Sequence, residues 1–419
     1  MLRRENLLRN DQNHNWPRFA LSALAICTWL VGMSVFADDW AQWRGPNRDG
    51  ISQETGWLKD WPSEGLKELW RVPLGDGYSG ISVVGERVYT MADEGEEEFA
   101  FCLDATTGDV VWRFKTAAKF INDRGDGPRS APTIDGERVF VLSASGKLYA
   151  LNSKTGERLW MRDFVKEFGS KAPGWGFSTS AIIEGDLLIT EVGGRDRQSI
   201  VGFNKTNGEV VWATHTDEAG YSSPIAITFN GKRQVVFLTP RTLISVNPTD
   251  GHVYWKYSWP EGINIATPIF IPPDKLFISA SYDKGAVMVS MKADGEKIAV
   301  EEMWKNRLMR NHFNASVLLG DYLYGFDNAT LKCIRVDTGE EQWVERGLGK
   351  GSLVLTDGHL IVLGEQGTLA LVEASPTAYN EKARYELFDS LTWTVPTLSS
   401  RKLYVRNQEE LVCLDMSQK

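Results

Sequence analysis

One pattern in this chain limits its fold more than any other feature. It is an apolar run, an Asp or Asn, three residues, a Gly, three residues and a Trp. It appears as Asp104…Gly108…Trp112, Asn152…Gly156…Trp160, Asn204…Gly208…Trp212 and Asn247…Gly251…Trp255. Arg335…Gly339…Trp343 keeps the Gly and the Trp without the acid, and Met291…Gly295 has an insertion before Trp304. The glycines fall at 108, 156, 208, 251, 295 and 339, spaced by 43 to 52 residues. That is the period of one supersecondary unit repeated along the chain.

Each part of the motif has a physical role. Thr-Gly, Asn-Gly or Asp-Gly between apolar runs supplies the positive φ of a tight hairpin turn. An Asp or Asn at the start of the turn can accept backbone N–H bonds. The Trp then returns on an outer strand, where its apolar face can pack between neighbouring sheets. Two more short strands precede each turn, as in Ala131-Pro132-Thr133-Ile134 and Arg138 to Leu142, ahead of Lys147 to Leu151. Four short turn-linked strands per repeat, with no alternating helices, indicate an all-β propeller of four-stranded antiparallel blades.

Seven blades are expected near 78–114, 130–162, 177–214, 221–257, 264–306, 312–345 and 351–388. The seventh lacks the turn Gly and the Trp, and Tyr385 stands where the Trp would be. An eighth runs from Trp393 through Lys402 to Val405 and on to Leu411 to Asp415, without an outer strand. Glu68-Leu-Trp70-Arg-Val72 is an outer strand without a blade. Pairing of 68–72 with 411–415 would complete an eight-bladed ring and remove its free edge. The girdle of blade tryptophans is then Trp70, Trp112, Trp160, Trp212, Trp255, Trp304 and Trp343.

Residues 66–419 are read as the propeller, and 38–65 as an irregular arm across the ring, anchored by its tryptophans Trp40, Trp43, Trp57 and Trp61, with an aromatic ligand platform as the alternative. Residues 1–37 are read as a signal peptide: Arg3, Arg4, Arg9 and Arg18 precede or open an apolar stretch to Phe36, with cleavage expected near Ala37. An uncleaved membrane anchor is the alternative, since such a stretch just suffices to span a bilayer. The formal charge is -9. Loss of the four arginines, Glu5 and Asp11 would take it to about -11. Nucleic acid is therefore not an expected partner. Membrane association is expected only through an uncleaved signal or a partner.

Cys102, Cys333 and Cys413 lie in separate apolar runs and read as buried core residues rather than a disulfide framework. The five histidines have no metal-ligand spacing, so no metal site is expected.

The repeats closely resemble the PQQ-like repeat of quinoprotein dehydrogenases and of the outer-membrane assembly lipoprotein BamB. The resemblance covers about residues 66–415. Trp40-Ala-Gln-Trp43-Arg-Gly-Pro-Asn-Arg-Asp-Gly50, Asn311 to Ser316 and Gly347 to Ser352 look like a group of secreted bacterial BamB-like proteins. Membership of the dehydrogenase branch would imply PQQ in the central funnel, a calcium ion on Glu, Asn and Asp side chains, an Asp base and a disulfide between adjacent cysteines. No two cysteines are adjacent here, and Asp126, the candidate base, reads as a solvated loop acid.

The loops entering the inner strands offer Tyr78, Arg129, Trp175, Tyr221, Asn264, His312, Lys350 and Trp393, with Asn314 just inside. Of these, Arg129, Trp175, Tyr221, His312, Asn314, Lys350 and Trp393 are the expected ligand-binding set. The longer loops add Lys119, Arg124, Lys166, Lys171, Arg307 and Arg310. Aromatic and cationic groups together suit an anionic or sugar-like ligand, or a peptide segment. Three readings stay open: an exported non-catalytic, BamB-like scaffold with a protein partner and no cofactor; a PQQ-dependent oxidoreductase of alcohols or sugars; and a binder of carbohydrate or another extracellular polymer.

Overall fold

The computed structural model describes residues 39–418. The signal-peptide reading falls on residues outside that range. The strands form eight sheets, and each contains four antiparallel strands of one repeat or its equivalent. The blades span 82–118, 133–163, 182–214, 225–258, 269–306, 317–345 and 352–386, with the eighth at 397–415. The split blade forms as expected. Glu68–Pro73 is its outer strand, with Trp70 opposite Cys413, Arg71 opposite Val412 and Val72 opposite Leu411.

Ring closure has a second clasp that strand pairing alone does not provide. Arg406, fully buried in the eighth blade, donates to Met91 O at 2.8 Å and Gly75 O at 2.9 Å beside the first blade. Burial lowers its pKa to about 10, so it remains charged in neutral solution. The carbonyl dipoles take the place of water around it.

The repeated Trp stitches each blade to the next. Its indole N–H donates to a carbonyl in the following blade's turn: Trp70 to Ala105, Trp112 to Ser153, Trp160 to Lys205, Trp212 to Pro248, Trp304 to Val336 and Trp343 to Ser375. The same ring lies on the turn glycine. A Cβ on Gly156 would come within 2.7 Å of Trp112, and one on Gly251 within 2.4 Å of Trp212. The glycine thus provides both a positive φ and room for the indole.

Two junctions depart from this rule. Trp255 donates to Gln234 of its own blade, because the next blade's turn is carried outward on the long hairpin Gly285–Asp294 and Lys297–Asn306. At the seventh junction, Tyr385 packs edge-on against Trp61 and lies over Gly65 of the arm.

The arm does more than lie across the ring, because it enters the channel. Asp39 holds the first turn of blade one through Gly85 N, and Trp40 bridges Val83. Ile51–Ser52 then adds a parallel fifth strand to blade seven. Between them, Arg44 donates to Ala315 O and Ser316 O of blade six, while Arg48 donates to Ser180 O and Ala181 O of blade three. Both guanidiniums are buried, which lowers their pKa values to about 10 and about 9. Beyond the channel, Trp57 is fully buried against the last residues of the chain, bridging Ser417.

Candidate functional site

The loops entering the blades place one equivalent residue per blade on the channel axis. In seven blades this residue stands four positions before the first paired residue of the inner strand: Tyr78, Arg129, Ser178, Tyr221, Ile265, Phe313 and Trp393. In blade seven the strand starts earlier and Lys350 takes the place. All eight line one cavity of about 270 Å³.

The side chains after each collar residue alternate in direction before the paired strand begins. The next residue turns into the blade. Ser79 donates to Ser130 O at 2.7 Å and Ser222 to Ala266 O at 2.9 Å. Asn314 belongs to this inward set. It is buried, donates to Gly351 O at 3.3 Å and does not line the cavity, a correction to the expected binding set. Asn264 is likewise buried, accepting from Trp259 and donating to Thr239 O. One residue further on, Gly80 and Thr267 face the channel again and meet Trp43 of the arm. Its indole donates to Thr267 Oγ1 at 2.9 Å and forms the cavity floor.

Arg129, Trp175, Tyr221, His312, Lys350 and Trp393 share this cavity. Trp175 arrives from the loop after the short helix Phe164–Phe168, which is N-capped by Asp163 and closed by Gly169 at φ 64°. Its ring lies 5.3 Å from Tyr221 and 6.1 Å from Tyr282. Tyr282 continues to His312 at 5.3 Å, and Phe313 lies 5.1 Å from Trp393. Trp393 meets Tyr78 at 5.5 Å, and the Arg129 guanidinium lies 5.5 Å from the Tyr78 ring centre. The rings thus form a nearly continuous wall.

The cations in the wall play different parts. Arg129 is half-buried and bonds the Gly125 and Gly127 carbonyls, so it braces its own loop. Burial lowers its pKa. Lys350 makes no ion pair among the described residues, and its ammonium stands 5.9 Å from the Trp393 ring centre. Arg124 is exposed, and its guanidinium lies 3.9 Å from the neighbouring Asp123. Burial, followed by Lys350 and Arg124, lowers the His312 pKa to about 4, so this imidazole is neutral in neutral solution. Its Nε2 lies 3.0 Å from the Tyr282 hydroxyl.

Among the described residues, no carboxylate lines the cavity. Glu365 sits behind Trp393 and accepts from its indole at 3.1 Å and from Lys350 N at 3.1 Å. Asp126 joins Asp76 and Asp93, but Lys119 lies among them at 3.2, 3.7 and 2.9 Å respectively. The Asn122 N–H, followed by Lys119 after the opposing effect of burial, holds Asp126 below the usual carboxylate range. Other loop cations turn elsewhere: Arg310 pairs with Asp327 at 2.7 Å, Lys166 lies 3.7 Å from Asp163 and Lys171 4.0 Å from Glu218. Arg307 borders a separate depression.

Sequence reasoning read Trp43 as an anchor of the arm, with a ligand platform as the alternative, and missed Ser178, Ser223, Ile265, Tyr282 and Phe313 as lining residues. Counting back four positions from each inner strand finds Ser178, Ile265 and Phe313. Tyr282 has no such signal, because it comes from the turn between the second and third strands of blade five at φ 53°. Trp43 depends on the arm entering the ring.

The family model described as outer membrane protein assembly factor BamB matches residues 63–194 and 169–345. The chain belongs to this PQQ-like β-propeller family. It is 20% identical to BamB of Yersinia pestis over 360 residues, covering 81% of each chain. It is 25% identical to tetrathionate hydrolase of Acidithiobacillus ferrooxidans over 211 residues, which are 44% of this chain and only 38% of that protein. The crystal structure of BamB from Moraxella catarrhalis superposes with a TM-score of 0.60 at 15% identity, covering 84% of this chain and 99% of that one. At that identity the superposition concerns the fold alone.

The quinone and calcium of the dehydrogenase branch can be tested against these residues. The cations would suit a planar polyanion, but the described cavity wall offers calcium no carboxylate. The three described cysteines are buried and lie apart. The donor set does not fit a calcium-assisted quinone.

Proposed function

We propose that this protein is an exported, non-catalytic scaffold of the BamB kind that presents its funnel face to a protein partner. The observation carrying this reading is the funnel, with an aromatic wall, two outward-reaching cations and a floor closed by the protein's own arm. Rigid aromatic side chains around a concave centre are what partner anchors bind best. The neutral His312 and the braced Arg129 have no carboxylate in the described wall with which to form a catalytic pair. Export is supported by the character of residues 1–37 and by the outer-membrane assembly role in the family's name.

Site-specific photo-crosslinking in cells tests the proposal. A crosslinker at Arg124 or Lys171, on the funnel face, should capture a discrete protein. One at Thr106 or Glu157, in turns on the opposite face, should not. Equal capture from both faces, or none from the funnel face, would count against the reading.

A further inference from the structure

We infer that the funnel receives the tip of a partner loop or chain end that carries one aromatic or large aliphatic side chain beside acidic residues. This assignment rests on the scaffold reading and names the chemistry of the segment that docks.

Three observations lead to it. The first is the single mouth. Trp43 closes the cavity below and Arg44 and Arg48 fasten the arm to blades six and three, so a chain cannot thread through. The occupant must enter and leave by one side, as a tip does. The second is size. About 270 Å³ holds roughly nine waters at ~30 Å³ each, which suits one large side chain with part of its backbone.

The third is the combination of wall and charge. Trp43, Trp175, Tyr221 and Trp393 offer ring faces and edges to an apolar anchor. Lys350 and Arg124 stand at the same cavity, and no carboxylate among the described residues does. Rings alone would also accept a cationic side chain, but these two cations repel one. The funnel is positive on a chain whose formal charge is -9, so the opposite sign of segment is steered to this spot. A carboxylate beside the anchor would gain charge-assisted hydrogen bonds from Lys350 and Arg124.

The test is selection of phage-displayed random heptapeptides on the full exported chain. Phage that also bind the Trp175→Ala/Trp393→Ala double variant are discarded. The expected result is enrichment of sequences with Asp or Glu beside Trp, Phe, Tyr or Leu. An enriched peptide should bind Lys350→Glu at least ~10-fold more weakly, and wild type more weakly as salt rises. Lys350→Glu changes a charge at the mouth of the funnel and leaves the packed rings in place, so it keeps the test decisive if the double variant does not fold.

Enrichment of basic sequences, or binding indifferent to Lys350→Glu, overturns the assignment. So does tighter binding of benzene-1,3,5-tricarboxylate than of any enriched peptide, which would mark a small-anion site. Funnel-face crosslinks in cells without acidic–aromatic enrichment overturn this assignment and leave the scaffold reading standing. Enrichment without such crosslinks upholds the chemistry and removes the scaffold reading.

Discussion

Two rings of side chains run round this molecule, one at its outer edge and one at its axis. The outer ring repeats itself: Trp70, Trp112, Trp160, Trp212, Trp304 and Trp343 each donate to the turn of the next blade. The inner ring does not repeat. From the equivalent backbone position it presents Tyr78, Arg129, Ser178, Tyr221, Ile265, Phe313, Lys350 and Trp393. Where eight junctions pose the same packing problem, one residue serves nearly all of them. Where the positions converge on a single cavity, eight copies of one residue would make a uniform wall, and the chain has a varied one. Repetition within this chain marks scaffold, and variation at an equivalent position marks the candidate site.

The largest effect expected from that contrast is in stability. Trp212→Ala should cost about 3–5 kcal/mol in urea unfolding, through the lost indole packing and the cavity left behind. Trp393→Ala, at a half-buried collar position, should cost less than half as much. Equal costs would break the distinction between the rings.

A second measurement sharpens it within the scaffold, at Glu98, where blade one meets blade two. This residue is fully buried and accepts from Ala144 N at 3.3 Å, and its pKa is raised by burial to about 7. The folded state therefore holds this proton more tightly than the unfolded chain, where a glutamic acid titrates at its ordinary value of 4.5. The contribution is most favourable below pH 4.5 and is lost as pH rises to about 7. A shift of that size is worth on the order of 3 kcal/mol. Glu98→Gln should flatten the pH dependence of unfolding over that window, and an unchanged slope would show that the carboxyl ionises freely in the fold.

Arg44→Met tests whether the arm belongs with the scaffold. It leaves Ala315 O and Ser316 O without their donor, at about 1–3 kcal/mol for each group left unsatisfied. Met would occupy the same φ of 60° as Arg44, so no backbone strain is relieved to offset the loss. Limited proteolysis should then cut within 39–66 first, while the blades stay intact.

The smallest effect is chemical. Cys102, Cys333 and Cys413 face Tyr89, Tyr324 and Tyr404, and burial raises each thiol to about 12. Iodoacetamide should leave all three unmodified in the native protein and label all three in denaturant. Rapid native labelling would show a blade opening at its girdle.

Much of the scaffold is legible in the sequence because its signals are local and repeated. A turn glycine four residues before a Trp constrains the hairpin in place, and five such copies, with a sixth carrying an insertion, outweigh any one exception. The orphan strand at Glu68–Pro73 can be matched to the blade ending at Asp415 because each lacks what the other has. The candidate site is less legible. Asn314 reads as a wall residue because its neighbours are, yet its side chain turns inward to Gly351 O. His312 and Phe313 both reach the cavity because they lie where the loop has not yet become strand.

By itself, then, the sequence determined the blade, the number of blades and the way the ring closes, since the first two depend on contacts within one repeat and the closure on two incomplete fragments that together make one. Tertiary structure alone decided what occupies the axis. Trp43 reaches Thr267, 224 positions away, and Arg44 and Arg48 find their acceptors in blades six and three. Those contacts depend on the ring already being closed around the arm, and no periodicity in the chain encodes them.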